Sequence, residues 1–321
     1  MNAHKKNVLT LANWQPKTQP LKPASKYIEA SKAGSTRKAY KSDLKIFADW
    51  CAVNNAQSLP ATPETVGEFL ENQADAGIAP ATLSRRLAAI KDAHEAAGHE
   101  TPTNSKLVTN TLKGIKREKG AAQNKKAPVT ADRLAAMLAH IPADTIIGKR
   151  DRAILVLGFV GAFRRSELAA LTVNDLQETE KGLQVIIRKS KTDQEGKGQT
   201  IAIPNGDKLQ AVNRLRDWLD AAGITEGAIF RPITKGGSVR NVAITDKSIS
   251  ETVKKYAKAA GFDAADFAGH SLRSGFLTSA AESGASIFKM AEQSRHRSLQ
   301  TLQAYVRSAD LFKDHAGSAF V

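Results

Sequence analysis

Between Ser35 and Cys51 the chain reads STRKAYKSDLKIFADWC, and Tyr40, Leu44, Phe47 and Cys51 recur in it at intervals of three and four. That spacing puts the four on one face of a helix, so the stretch predicts an amphipathic helix whose apolar stripe needs other helices to cover it. The same period continues downstream. Thr62 and Pro63 supply an N-cap and a residue whose φ suits the first turn, ahead of Val66, Phe69 and Leu70. A third helix is predicted from about Thr82 through Leu83, Leu87 and Ile90, and a fourth through Leu107, Val108, Leu112 and Ile115. Residues 25–117 therefore read as a compact all-helical domain.

Working outward, residues 1–24 mix Lys, Pro, Gln and Thr without a period and read as a flexible arm. On the other side, KREKGAAQNKKAP (Lys116 to Pro128) carries five cations against one Glu and no apolar period, which predicts a basic linker over residues 118–128. Residues 129–321 are mixed. Helical patterns cover about Thr130 to His140, Asp151 to Val160 and Asp207 to Ala221, and a run of helices follows Thr245, broken at Gly261, Gly269 and Gly284. Alternation in Leu183 to Ile187 pairs with Thr200 to Ile203 as a hairpin whose tip is KSKTDQEGKGQ. The fold class is mainly α, with a helical first domain and an α+β second domain built around a small antiparallel sheet.

Length and composition fit two globular domains: 321 residues, 41% hydrophobic and 25% charged, which excludes wholesale disorder. No apolar run approaches the ~20 residues of a membrane span, and the opening MNAHKKNVLTLANWQ lacks a signal-peptide core, so the expected location is cytoplasmic. A single cysteine, Cys51, excludes an internal disulfide and a cysteine zinc cage. Against 32 acidic residues stand 47 Lys and Arg, a net charge of +15, and the natural partner of such a chain is a polyanion, nucleic acid foremost.

Several motifs fail on spacing. HEAAGH places His94 and His99 five apart rather than four, off a common helical face, so no metal site is expected there. GKGQT near Gly196 lacks the glycine spacing of a nucleotide-binding loop, and no carboxylate cluster is spaced for two magnesium ions. No metal, nucleotide or other cofactor is expected. What remains is a scatter of cationic and imidazole residues: GAFRRSELAAL (Gly161 to Leu171), KSKT (Lys189 to Thr192), GHSLRSG (Gly269 to Gly275) and RHRSLQTLQAY (Arg295 to Tyr305).

These four segments, in this order, resemble the signature of the tyrosine recombinases of the phage integrase family, which includes the Cre-type enzymes. The resemblance spans about Ser25 to Asp310. It implies that Arg164, Arg273 and the nucleophile Tyr305 are catalytic together with Glu167, Lys191, His270 and His296. It also implies a SAM-like core-binding domain and a catalytic domain that clamp duplex DNA as a C shape, and a homotetramer on two inverted-repeat sites. A C-terminal helix at about residues 309–321 would be exchanged between subunits. Two positions depart from the family's usual reading: Arg295 stands where glycine is common, and Ser274 follows Arg273 where histidine is common.

Chemistry agrees with the roles. Attack of a tyrosine hydroxyl on a phosphodiester loads charge onto two nonbridging oxygens, which guanidinium forks at Arg164 and Arg273 would hold. Tyr305 needs a base, His270; the leaving 5′ oxygen needs an acid, Lys191; His296 would donate to the phosphate and Glu167 would hold its neighbours. For reading DNA, Arg85, Arg86 and Lys91 are expected on the polar face of the third helix, with Arg240, Lys247 and Ser250 as further contacts. A type IB topoisomerase or telomere resolvase shares the chemistry, and a noncatalytic DNA-binding regulator shares the charge.

Overall fold

The computed structural model describes residues 31–120, 126–188 and 198–309. They form two compact units that divide between residues 123 and 124.

The first unit holds α1 (Gly34–Val53), α2 (Pro63–Asp75), α3 (Pro80–Ala96) and α4 (Lys106–Glu118). Thr62 caps α2 as expected, its side chain accepting from the Thr65 N–H at 3.2 Å. The predicted apolar positions become the core: Phe47, Cys51, Val66, Phe69, Leu70, Leu83, Leu87, Ile90, Val108 and Ile115 are buried together. Phe47 meets Phe69 edge-on with centroids 5.0 Å apart. Leu107 departs from its predicted stripe and is exposed. His94 is structural: its Nε2 accepts from the Ala61 N–H and its Nδ1 donates to the Ile90 carbonyl, each at 2.8 Å, in a site 1% exposed.

The second unit begins with α5 (Ala131–Ala139), α6 (Ile146–Val160) and α7 (Arg165–Ala170). Strands β1 (Leu176–Thr179), β2 (Gly182–Ile187) and β3 (Gln199–Pro204) form one antiparallel sheet in that order. The predicted hairpin is β2–β3, with Leu183 opposite Ile203 and Val185 opposite Ile201. Strand β1 leaves no alternating trace in the sequence, because LQET is largely exposed and carries no buried alternate face. Among the described residues, five α-helices follow: α8 (Ala211–Ala222), α9 (Asp246–Ala259), α10 (Ser271–Glu282), α11 (Ile287–Ser294) and α12 (Leu299–Ala309).

Helix α6 is apolar all round from Ala153 to Phe159 and lies in the centre of this unit's core. At its start the buried Asp151 accepts from Arg150 Nε and from the Tyr256 hydroxyl, both at 2.9 Å, which ties α6 to α9. Gly275 lets α10 lie against the segment before α5, since a Cβ there would run into the Val129 carbonyl. A satellite core of Leu277, Ala281, Met290 and Leu302 joins α10, α11 and α12, with Tyr305 packed at its margin. Among the described residues, no helix is long and apolar enough to cross a membrane.

Candidate active site

The sharp turn from α6 to α7 is the foundation of the site. Gly161 follows α6, Ala162 takes a left-handed φ of +44°, and Arg164 starts α7 as its N-cap. Glu167, one turn into α7, reaches back: its Oε2 accepts from the Arg164 N–H at 2.9 Å and its Oε1 from Arg164 Nη1 at 2.6 Å. A carboxylate at this point of a helix satisfies an orphan N–H and meets the positive end of the dipole. Burial alone would raise the Glu167 carboxyl, but Arg295 and Arg164 outweigh it and hold the group below the usual carboxylate range.

Arg273 comes from the first turn of α10 and is fully buried. Its Nη1 donates to the Ala162 carbonyl at 2.7 Å, and its Nη2 lies 3.2 Å from His296 Nδ1. Burial, with Arg164 and Arg295 adding like charge, pushes its pKa down to about 9, so it is still cationic at neutral pH. His296, just past α11, is pushed down to about 4 by burial and by Arg273, and is neutral at pH 7. Ser294 Oγ lies 2.7 Å from the same Nδ1 and gives its own hydrogen to the Met290 carbonyl at 2.5 Å, so it would accept from a protonated Nδ1. Arg273 Nη2 can only donate, so its contact with Nδ1 is a hydrogen bond only when the ring proton sits on Nε2. In that tautomer Nε2–H is the donor His296 has to offer.

His270 is exposed at the N-cap of α10. The loop in front of it is pinned by hydroxyls: the Gly269 N–H donates to Ser250 Oγ at 3.1 Å and the Ala268 N–H to Ser271 Oγ at 3.0 Å. Tyr305, half-buried on α12, has its hydroxyl raised by burial and lowered by Arg273. Ser274 turns its hydroxyl back to the Ser271 carbonyl at 3.2 Å. Lys191 and the helix expected at about residues 309–321 lie outside the described residues, apart from Ala309 at the end of α12. Beside His296 a cavity of about 400 Å³ is lined by Gln199, Thr200, Glu292 and Arg297 among others.

Two of the residues expected to read DNA are buried. Arg86 is not on an exposed face: it is buried, donates to Gln73 and stacks 6.0 Å from the Phe69 centroid. Ser250 is also buried and is occupied by Gly269. Arg85 is exposed but chelates the buried Asp43 through Nε (2.7 Å) and Nη2 (3.1 Å), while Lys91 is half-buried and 3.7 Å from Glu95. Arg240 and Lys247 are exposed. Another basic face lies on α4, where Lys106, Asn110, Lys113 and Arg117 recur at intervals of four, three and four and are all exposed. Its signal was present in the sequence as the polar complement of the Val108 and Ile115 stripe.

Residues 128–311 match the phage integrase family model, and residues 26–101 match the phage integrase N-terminal SAM-like domain. The chain belongs to the phage integrase family, and is a site-specific tyrosine recombinase that cleaves and rejoins DNA. It is 41% identical over 298 residues to an integrase/recombinase XerD homolog of Selenomonas ruminantium, covering 91% of this chain and 87% of the relative. It is 23% identical over 295 residues to the Cre recombinase of Escherichia phage P1, covering 86% and 84%. The fold is shared with a lambda integrase dimer bound to a COC′ core site, at a TM-score of 0.57 and 18% identity over 88% of this chain and 92% of that one. XerH recombinase bound to its palindromic difH substrate gives a TM-score of 0.60 at 18% identity over 80% and 72%.

Proposed function

We propose that Tyr305 attacks the scissile phosphate, leaving a 3′-phosphotyrosyl link and a free 5′ hydroxyl that then attacks a partner duplex through a Holliday junction. The observation that carries this reading is the convergence of Arg164, Glu167, Arg273 and His296, from α7, α10 and the end of α11, on the turn at Gly161 to Arg164. Arg164 and Arg273 hold the nonbridging oxygens, His296 donates to one of them through Nε2, and His270 takes the Tyr305 proton. Lys191 protonates the departing 5′ oxygen. The phosphotyrosyl bond conserves the phosphodiester's free energy, so rejoining needs no nucleotide.

Duplex DNA is held by the exposed face of α4 in the first unit and by Arg240 and Lys247 in the second, with Arg85 and Lys91 at the margin because Asp43 and Glu95 neutralise them. Two inverted-repeat sites and a homotetramer that exchanges its C-terminal segment complete the assembly, and the reaction takes place in the cytoplasm. Covalent capture tests the reading: purified protein is incubated with fragmented source DNA, denatured, and the protein-linked fragments sequenced. An inverted-repeat sequence enriched with the native protein and absent with Tyr305→Phe is the expected result. No Tyr305-dependent adduct, even on nicked duplexes that trap cleavage, would leave only a DNA-binding protein.

A further inference from the structure

Arg295 is the residue in the site that the signature does not account for. It caps α11 with a left-handed φ of +59°, a conformation that glycine adopts freely and an arginine adopts at a cost. Its side chain is nonetheless drawn fully inside, 1% exposed, against the same turn that carries Arg164. Nη1 donates to the Gly161 carbonyl at 3.1 Å and to the Gln293 carbonyl at 2.7 Å. Nη2 donates to the Ala162 carbonyl at 3.0 Å and to Glu167 Oε2 at 2.8 Å. The guanidinium lies 5.4 Å from the Phe163 centroid, and its Nε has no hydrogen-bond partner among the described residues. A helix cap alone explains none of these contacts, since capping α11 needs only the backbone.

We infer that Arg295 is a positioning residue for strand cleavage, one that joins the two phosphate-binding arginines into a single unit and sets the charge of the site. The joining is geometric. Arg295 and Arg273 donate to the same Ala162 carbonyl, and Arg295 and Arg164 donate to the same Glu167 carboxylate. Neither fork moves without disturbing the other. The charge follows from counting: among the described residues at this turn, three buried or half-buried guanidiniums face one carboxylate, which leaves two positive charges in surplus before Lys191 is counted. A ground-state phosphodiester brings one negative charge, and the pentacoordinate arrangement formed as Tyr305 attacks brings two. Each surplus positive charge attracts the dianionic reacting state more than the monoanionic substrate, which is the condition for raising rate rather than affinity. Removing Arg295 lets Glu167 cancel Arg164 and lowers the surplus at the turn by one, which takes more from the dianionic reacting state than from the unreacted phosphodiester.

This inference rests on the assignment of Arg164, Arg273 and Tyr305 to the reaction, and the test separates the two. Single-turnover cleavage of a nicked duplex and equilibrium binding of the intact duplex are measured for the native protein, Tyr305→Phe, and Arg295→Gly, Arg295→Met and Arg295→Lys. Adduct with the native protein and none with Tyr305→Phe upholds the site assignment whatever position 295 does. Arg295→Gly should then cleave roughly 10- to 100-fold more slowly, somewhat less than the loss for a donor that touches the phosphate itself, with duplex Kd within about twofold. Arg295→Lys, which keeps the charge, should recover part of that loss, and Arg295→Met should not. A purely structural cap predicts the opposite order, with glycine the best occupant. Cleavage by Arg295→Gly at the native rate, or no recovery by lysine over glycine and methionine, overturns the inference. If Arg295→Met fails to fold, the glycine and lysine comparison decides it alone.

Discussion

Glu167→Gln changes almost no volume and removes the one carboxylate among three guanidiniums. Glu167 is 1% exposed and accepts three hydrogen bonds, from Arg164 Nη1 (2.6 Å), the Arg164 N–H (2.9 Å) and Arg295 Nη2 (2.8 Å). A glutamine keeps one oxygen, and its amide nitrogen must face a donor, so one contact becomes donor against donor. Each ion pair is worth about 4 kcal/mol of gross attraction at an effective dielectric near 20, part of which is offset because a neutral amide costs less to bury. The net expectation is the loss seen when one partner of a buried pair is removed, about 3–5 kcal/mol. For a unit of this size that lowers Tm by about 6–20 °C. Urea unfolding followed by fluorescence reports it through Trp218, which is fully buried in this unit with its indole N–H on the Ile229 carbonyl at 2.9 Å. Duplex DNA brings a phosphate to the unpaired arginines and should raise the variant's Tm more than the native protein's. A loss under about 1 kcal/mol, or an equal gain from DNA in both, would show that these arginines do not need Glu167 as their buried counter-charge.

Three further expectations follow from burial and charge. Gly114 sits within α4 beside Lys113, and a Cβ there would meet nothing within 4 Å; Gly114→Ala should stabilise the helix by about 0.5–1 kcal/mol yet weaken duplex binding in an anisotropy titration if DNA approaches this face closely. Lys113→Ala and Arg117→Ala should each reduce the slope of log K against log salt by about one, whereas Arg86→Met should leave the slope alone and cost about 1–3 kcal/mol in unfolding. His296 is depressed from 6.5 to about 4, so the unfolded chain binds the extra proton between those values and stability should fall as pH drops from about 6.5 to 4. The full shift would amount to about 3 kcal/mol, and partial solvent access reduces it to about 1–2 kcal/mol, measurable as the fall in Tm in that window, which His296→Gln should lessen, leaving the part that depressed carboxylates such as Glu167 contribute toward pH 4.

Where apolar period did the reading, it reached the fold. The stripe on α1, the Thr62 cap and the β2–β3 pairing were all visible, the stripe and the strands because burying carbon against carbon leaves a repeating trace in the chain. Strand β1 left no such trace, having no buried face to mark. The candidate site was read from a family resemblance carried by four segments in order, and the structure brings Arg164, Glu167, Arg273 and His296 of it to one turn.

What stayed hidden was the fate of individual arginines. Arg85 and Arg86 are adjacent on one helix and identical in chemistry, yet exposed Arg85 chelates the buried Asp43 while Arg86 is itself buried, against Phe69 and 3.8 Å from the same carboxylate. Arg295 looked like an intruding charge at a place for a small residue and is instead a strut under Glu167 and Ala162. A guanidinium has five donors, and its location depends on which carbonyls and carboxylates the tertiary fold leaves unpaired nearby. Those acceptors come from distant segments: the Gly161 and Ala162 carbonyls are exposed to partners because Ala162 turns left-handed, not because of anything beside Arg295 in sequence. Periodicity marks where a chain must be dry. The placement of a buried charge follows from a sum over the whole unit, and for the same reason a single substitution at Arg295 or Glu167 should be felt at Arg164 and Arg273 together.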